Sequence, residues 1–226
     1  MWLLFDKDGT LIEYDETWVE IGIEMIDDFI ETYHIHDKDR VYRDIGVKDH
    51  QFVPGGIMAQ GTMDDIIQCF NHHAQQDVSE WTKKTSQRLI SSRNPETTLI
   101  PGVVETLTSL KAQGHRLGII TSDNQVGTKK FLNDFDLTDM FDYLITTDEK
   151  SFEKPDPRVL EAFFKETNCT QDDIIIIGDA PTDIETGQRV GAQTIGVLTG
   201  IGDRDTLHNA THIIDDITAL PELLRN

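Results

Sequence analysis

Residues 3–11 read LLFDKDGTL, which sets Asp6 and Asp8 one residue apart, directly after an apolar run and before Gly9-Thr10. Three other short stretches carry related chemistry: Thr121-Ser122-Asp123, the KPDP that begins at Lys154, and GDAPTD with Asp179 and Asp183. Four carboxylates gathered at one point repel. Two like charges about 4 Å apart cost on the order of 4 kcal/mol at an effective dielectric near 20. A cation must offset this, and Lys154 is one candidate. A hard divalent ion is the better one, because the ligands on offer are oxygens with no His or Cys among them. Mg²⁺ takes one or two carboxylates and leaves room for water and a phosphate oxygen. Carboxylates, one metal ion, a lysine and a hydroxyl make a site suited to phosphoryl transfer.

Such a site needs elements that bring distant residues to one edge. Five apolar runs read as buried parallel strands: Trp2–Phe5, Leu117–Ile120, Tyr143–Ile145, Ile174–Ile177 and Thr194–Leu198. Segments of helical periodicity separate most of them, which predicts a Rossmann-like α/β core: an open parallel sheet with helices on both faces. Ligands collect at the C-terminal ends of strands in such sheets, and the four short motifs each follow a strand. One stretch breaks the rhythm. Between Phe5 and Leu117 the sequence reads as helices, with Trp18, Met25, Phe29 and Tyr33 along the first, Val41 and Ile45 on the second, Met63–Phe70 on the third and Trp81–Ile90 on the fourth. The expected organisation is an α/β catalytic core of residues 1–14 and 94–226 and an inserted all-helical domain of residues 15–93. The return linker is expected at Ser92-Arg93-Asn94-Pro95, after a Pro54-Gly55-Gly56 turn within the insertion.

Composition narrows the function. The formal net charge is -21 over 226 residues, and no basic run exceeds Lys83-Lys84 or Lys129-Lys130, so nucleic acid and anionic membranes are not expected partners. Two cysteines without CxxC spacing indicate neither structural zinc nor a disulfide framework, and a cytoplasmic location is the natural expectation. No apolar stretch approaches the length needed to span a bilayer. His72-His73 sit about 100° apart on a helix and read as a solvated face rather than a metal site.

The four motifs in this order, with the helical insertion after the first, resemble the haloacid dehalogenase superfamily, nearest to its phosphoglycolate phosphatase-like hydrolases with a helical cap. The resemblance covers nearly the whole chain. It implies a Mg²⁺-dependent phosphatase that hydrolyses a small phosphorylated metabolite through an aspartyl-phosphate, acting as a monomer or homodimer. Asp6 would be the nucleophile, and Asp8 the general acid for the leaving oxygen and then the base for water. Mg²⁺ would be held by Asp6, Asp8 through its backbone carbonyl, and Asp179, with Asp183 supporting it directly or through water. Thr121, backbone N–H groups near Ser122, and Lys154 would hold the phosphoryl group, and Lys154 would be catalytic as well, neutralising charge on both phosphoryl group and nucleophile.

Other readings stand beside this one. Sugar-phosphate mutase and phosphonatase belong to the same superfamily, and a response-regulator receiver also uses an acidic Mg²⁺ cluster, although its phospho-acceptor follows the third strand. Taken singly, DKDGT is also an ordinary strand-ending turn and Thr121-Ser122-Asp123 an ordinary helix cap. The residue between the two aspartates is usually apolar in this superfamily; here it is Lys7, facing solvent or adding positive charge beside the site. Glu13-Tyr14 and Ser122 are further departures, and the insertion itself does not disclose a substrate.

Overall fold

The strand β1 (Trp2–Phe5) is followed by a long excursion before its sheet resumes. The computed structural model describes residues 1–13, 17–53, 55–92, 98–147 and 152–225. It divides into two compact units, Met1–Tyr14 with Thr98–Asn226, and Asp15–Thr97.

The second unit runs α1 (Thr17–Thr32), α2 (Lys38–Ile45), β2 (Val47–Lys48), β3 (Gln51–Phe52), α3 (Ile57–Gln60), α4 (Met63–Ala74) and α5 (Ser79–Ser92). The expectation of an all-helical insertion is corrected here, since β2 and β3 pair antiparallel. Two-residue strands leave no alternation to read. Their connecting residues, Asp49 and His50, both take positive φ, as a type I′ hairpin turn requires. Local signals start the helices: the Asp37 side chain accepts the Arg40 N–H at 3.1 Å to cap α2, and Thr62 and Asp65 form a reciprocal capping box on α4. The apolar faces meet at Phe29, whose ring stacks on Phe70 at a centroid separation of 4.0 Å. His73 is not on a solvated face. Its side chain is 7% exposed, with Nε2 3.2 Å from Asp44 Oδ2. Tyr14, Pro54 and Arg93-Asn94-Pro95 of the expected junctions lie outside the described residues.

The first unit continues after β1 with α6 (Val103–Ala112), β4 (Arg116–Ile120), α7 (Gln125–Asp134), β5 (Tyr143–Ile145), α8 (Glu161–Thr167), β6 (Ile174–Gly178), α9 (Pro181–Val190), β7 (Gln193–Val197), β8 (His212–Ile214) and α10 (Leu220–Leu223). The six strands β5-β4-β1-β6-β7-β8 form one sheet, parallel throughout. The five strands expected from sequence all form. The sixth, β8, is a short edge strand whose residues stay exposed or half-buried, so it lacks the apolar run that marked the others.

Alternation shows why the central strands are apolar at every position. Leu3, Phe5, Ile175 and Ile177 enter one core, while Trp2, Leu4, Ile174 and Ile176 enter the other. Both faces of β1 and β6 are covered, so the four consecutive isoleucines of β6 each bury against helices. The register then fixes the site. Phe5 pairs with Ile119 of β4 and with Ile177 of β6, and Ile120 pairs with Ile145 of β5. The residues that follow these pairs leave the sheet at the same edge.

Candidate active site

Asp6 is the first residue past β1, and its N–H still donates to the Ile177 carbonyl at 2.8 Å, so the sheet ladder holds its backbone. Asp179 follows β6 by one residue. Asp183 lies in the first turn of α9, which Pro181 opens. Lys154 comes from the loop between β5 and α8. Its Nζ donates to Asp6 Oδ1 at 2.6 Å, to Asp183 Oδ1 at 2.6 Å and to the Ile120 carbonyl at 3.3 Å. All three ammonium hydrogens are thus used. Asp183 Oδ2 accepts the Ala180 N–H at 3.0 Å, so this fully buried carboxylate both seats the lysine and ties down the helix entrance.

Asp6, Asp179 and Asp183 each offer a carboxylate oxygen within 4.8 Å of the others. One ammonium does not balance three buried acids. Burial pushes the Asp6 carboxyl up to about 7; Lys154 pulls it down, and Asp183 and Asp8 add to the rise. Burial also holds Asp179 well above the usual carboxylate range, with Asp6 and Asp183 contributing. Burial works against the Lys154 ammonium, but Asp183 and Asp6 outweigh it and its pKa is raised. These residues fit a hard divalent cation: the donors are all oxygen, they converge, and they lack positive charge.

Asp8 stands beside this group with its side chain 20% exposed, and its Oδ2 is 3.0 Å from Lys7 Nζ. Thr121 is buried at the end of β4 and its hydroxyl accepts the Asp123 N–H at 3.1 Å, while Ser122 is exposed. The hydroxyl proton of Thr121 is left to donate.

One feature escaped sequence reasoning, the loop after β7. Asp179 Oδ2 accepts the Ile201 N–H at 2.9 Å, Thr199 Oγ1 donates to the Gly9 carbonyl at 2.6 Å, and a Cβ on Gly200 would lie 1.9 Å from Asp179 Oδ2. Gly9 itself, at φ 76°, would put a Cβ 2.6 Å from the Asp179 carboxylate. Thr10 Oγ1 completes the surround at 3.4 Å from Asp179 Oδ1. The only sequence signal was the pair of glycines in Thr199-Gly200-Ile201-Gly202, after an apolar strand. For Lys7 the sequence left two places open, and the structure gives the buried one, beside Asp8 and Asp123.

Comparison with known proteins bears on the family and the fold. The chain is 25% identical over 228 residues to the pyrophosphatase PpaX of Bacillus mycoides, covering 98% of this chain and 95% of that one. Among solved structures it is similar to a Bacteroides fragilis protein assigned to the haloacid dehalogenase-like hydrolases (TM-score 0.72, 23% identity, 99% of each chain). It is also similar to a predicted phosphoglycolate phosphatase from Haemophilus somnus (TM-score 0.66, 19% identity, 99% and 97% of the two chains). The sequence profile of the haloacid dehalogenase-like hydrolases matches residues 3–197, and the chain belongs to that family.

Proposed function

We propose that the protein is a Mg²⁺-dependent phosphatase of a small phosphorylated metabolite, working through an aspartyl-phosphate on Asp6. The observation that carries this reading is the convergence of Asp6, Lys154, Asp179 and Asp183, from three separate segments, into one buried contact group at the strand ends. Asp6, Asp179 and the Asp8 carbonyl would hold the ion, with Asp183 in support through its grip on Lys154. When bound, the ion supplies positive charge to the phosphoryl oxygens. In the first step an Asp6 carboxylate oxygen bonds to phosphorus. The bond to the leaving oxygen breaks, and that oxygen takes the Asp8 proton. In the second step Asp8 accepts a proton from water, whose oxygen displaces Asp6 and releases phosphate. Lys154, already on Asp6 Oδ1, neutralises charge as the phosphoryl group arrives. Thr121 and the N–H groups near Ser122 would donate to its oxygens.

The name of the Bacillus mycoides relative makes pyrophosphate a second substrate to test beside phosphoglycolate. The deciding experiment is phosphate release across a panel of small phosphate esters and pyrophosphate, with Mg²⁺ and with EDTA. Turnover that survives EDTA, or no turnover on any member, would overturn the reading.

Metal binding has its own readout. A folded-state pKa of about 7 for Asp6, against an ordinary 3.8, means that the fold keeps a proton which the unfolded chain gives up between those values. This term costs nothing below about pH 4, grows through the window, and is fully present above about pH 7. Mg²⁺ takes the place of that proton, so its affinity rises with pH up to about 7. At a hundredfold excess over Kd, Mg²⁺ adds about 2.7 kcal/mol. For a chain of this size that is roughly 5–10 °C in Tm. Thermal melts at pH 8 are expected to show this rise, and melts at pH 5 a much smaller one; equal shifts at both would count against the cluster as the site.

Gly200→Ala tests the loop that surrounds Asp179. Its methyl needs the space held by Asp179 Oδ2. The expected outcome is at least about a tenfold weaker Mg²⁺ response in the melts, as the loss of an oriented ligand partner brings, with substrate KM at saturating Mg²⁺ little changed.

A further inference from the structure

The Lys7 side chain is 7% exposed, with Nζ 3.0 Å from Asp8 Oδ2 and 3.1 Å from Asp123 Oδ2. An ammonium is buried at this level only when paired, because its desolvation costs several kcal/mol by typical figures. Burial draws its pKa down, but Asp8 and Asp123 more than offset this, so it stays charged. Asp123 is itself anchored. Its Oδ1 accepts the Asn124 N–H at 2.7 Å, and its carbonyl accepts the Thr147 N–H at 2.9 Å. A continuous tether therefore runs from the loops after β4 and β5, through Asp123 and Lys7, to Asp8.

The tether leaves a distinct mark on Asp8. While Oδ2 faces Lys7, Oδ1 is buried and has no hydrogen-bond partner among the described residues. A buried carboxylate oxygen without a partner is costly in a finished structure, and it is what an acid that must meet a substrate oxygen would present. We propose that Lys7, anchored by Asp123, is a positioning residue that holds the Asp8 carboxyl with Oδ1 turned toward the leaving group. Without the ammonium, the link between Asp8 and Asp123 is gone, and Asp8 swings away from its acid position. This inference rests on the reading of Asp8 as the general acid.

A lost acid hurts basic leaving groups and spares those that depart as stable anions. Lys7→Met and Asp123→Asn, with Asp8→Asn as reference, are to be assayed in the full chain at saturating Mg²⁺. The substrates are p-nitrophenyl phosphate, whose leaving group needs no proton, and an alkyl phosphomonoester that the wild type hydrolyses. Lys7→Met is expected to lower kcat on the alkyl ester by about 100-fold, the low end of what general acids contribute. On the nitrophenyl ester the fall should be no more than a few-fold. Asp123→Asn should move the ratio the same way by less, and it tests the tether even if Lys7→Met folds poorly. A merely structural loss would lower both rates together, and that result overturns the proposal. If Asp8→Asn discriminates between the esters and the Lys7 and Asp123 variants do not, the tether alone is wrong. If Asp8→Asn does not discriminate, the acid assignment falls and the inference falls with it.

Discussion

Asp6→Asn is expected to abolish phosphate release while leaving the protein folded. On the proposed mechanism the Asp6 oxygen forms the bond to phosphorus, and an amide oxygen is too weak a nucleophile to replace it. Losses on removing a covalent nucleophile elsewhere run to about 10⁴-fold and beyond, equivalent to roughly 5 kcal/mol or more of barrier at about 1.4 kcal/mol per factor of ten. The fold has reason to survive. An asparagine carbonyl oxygen can still accept from Lys154, which holds Asp6 Oδ1 at 2.6 Å. The substitution also removes one of three crowded buried acids, including the one whose carboxyl is pushed up to about 7. The Tm without metal should therefore stay level or rise, and the Mg²⁺-dependent increment should shrink, because one ligand has lost its charge. Phosphate release and thermal melts on the same preparation check both halves. Turnover near wild type would remove Asp6 from the role of nucleophile.

The parts of this site that sequence made legible share one property: each is written within a few residues of an apolar strand. The central strands bury both faces, so they appear as unbroken apolar runs, and in a parallel sheet the residue after such a run must emerge at the ligand-binding edge. Asp6 after Trp2–Phe5 and Asp179 after Ile174–Gly178 could be read for that reason. Lys154 lies further along, in the loop after Tyr143–Ile145, and could be read as a cation for the same edge; the structure adds why it is held, since two carboxylates and a carbonyl take all its hydrogens. What stayed hidden depends on contact between residues far apart in the chain. Nothing near Gly200 announces that Asp179 will lie against it, and nothing near Lys7 announces Asp123. In the inserted unit the same limit produced the error over His73: its own helix could not show that Asp44 of α2 would cover it.

Lys154→Met is expected to damage both stability and rate, and pH separates the two. The wild-type ammonium sits between Asp6 and Asp183 with its side chain 7% exposed. Removing one partner of a buried ion pair typically costs about 3–5 kcal/mol, because the remaining charge is left without compensation. At about 2–4 °C per kcal/mol for a chain of this size, Tm should fall by roughly 6–20 °C. The size of the fall must depend on pH. Lys154 is among the forces that pull the Asp6 pKa down, so without it Asp6 holds its proton to still higher pH. At pH 5 Asp6 of the variant keeps its proton and the missing cation matters less. Above the wild-type value of about 7 the variant must either ionise uncompensated acids or retain protons at a rising cost, and the deficit reaches its full size. Melts of variant and wild type without Mg²⁺ at pH 5 and pH 8 should diverge accordingly. Added Mg²⁺ should recover part of the stability at pH 8, since any cation relieves the carboxylates. It should not recover the rate, because the charge that meets the phosphoryl group at Asp6 Oδ1 is still missing, and losing one such preorganised donor costs about 10²–10³-fold in kcat. A variant whose rate returned together with its Tm would show that Lys154 serves the fold alone.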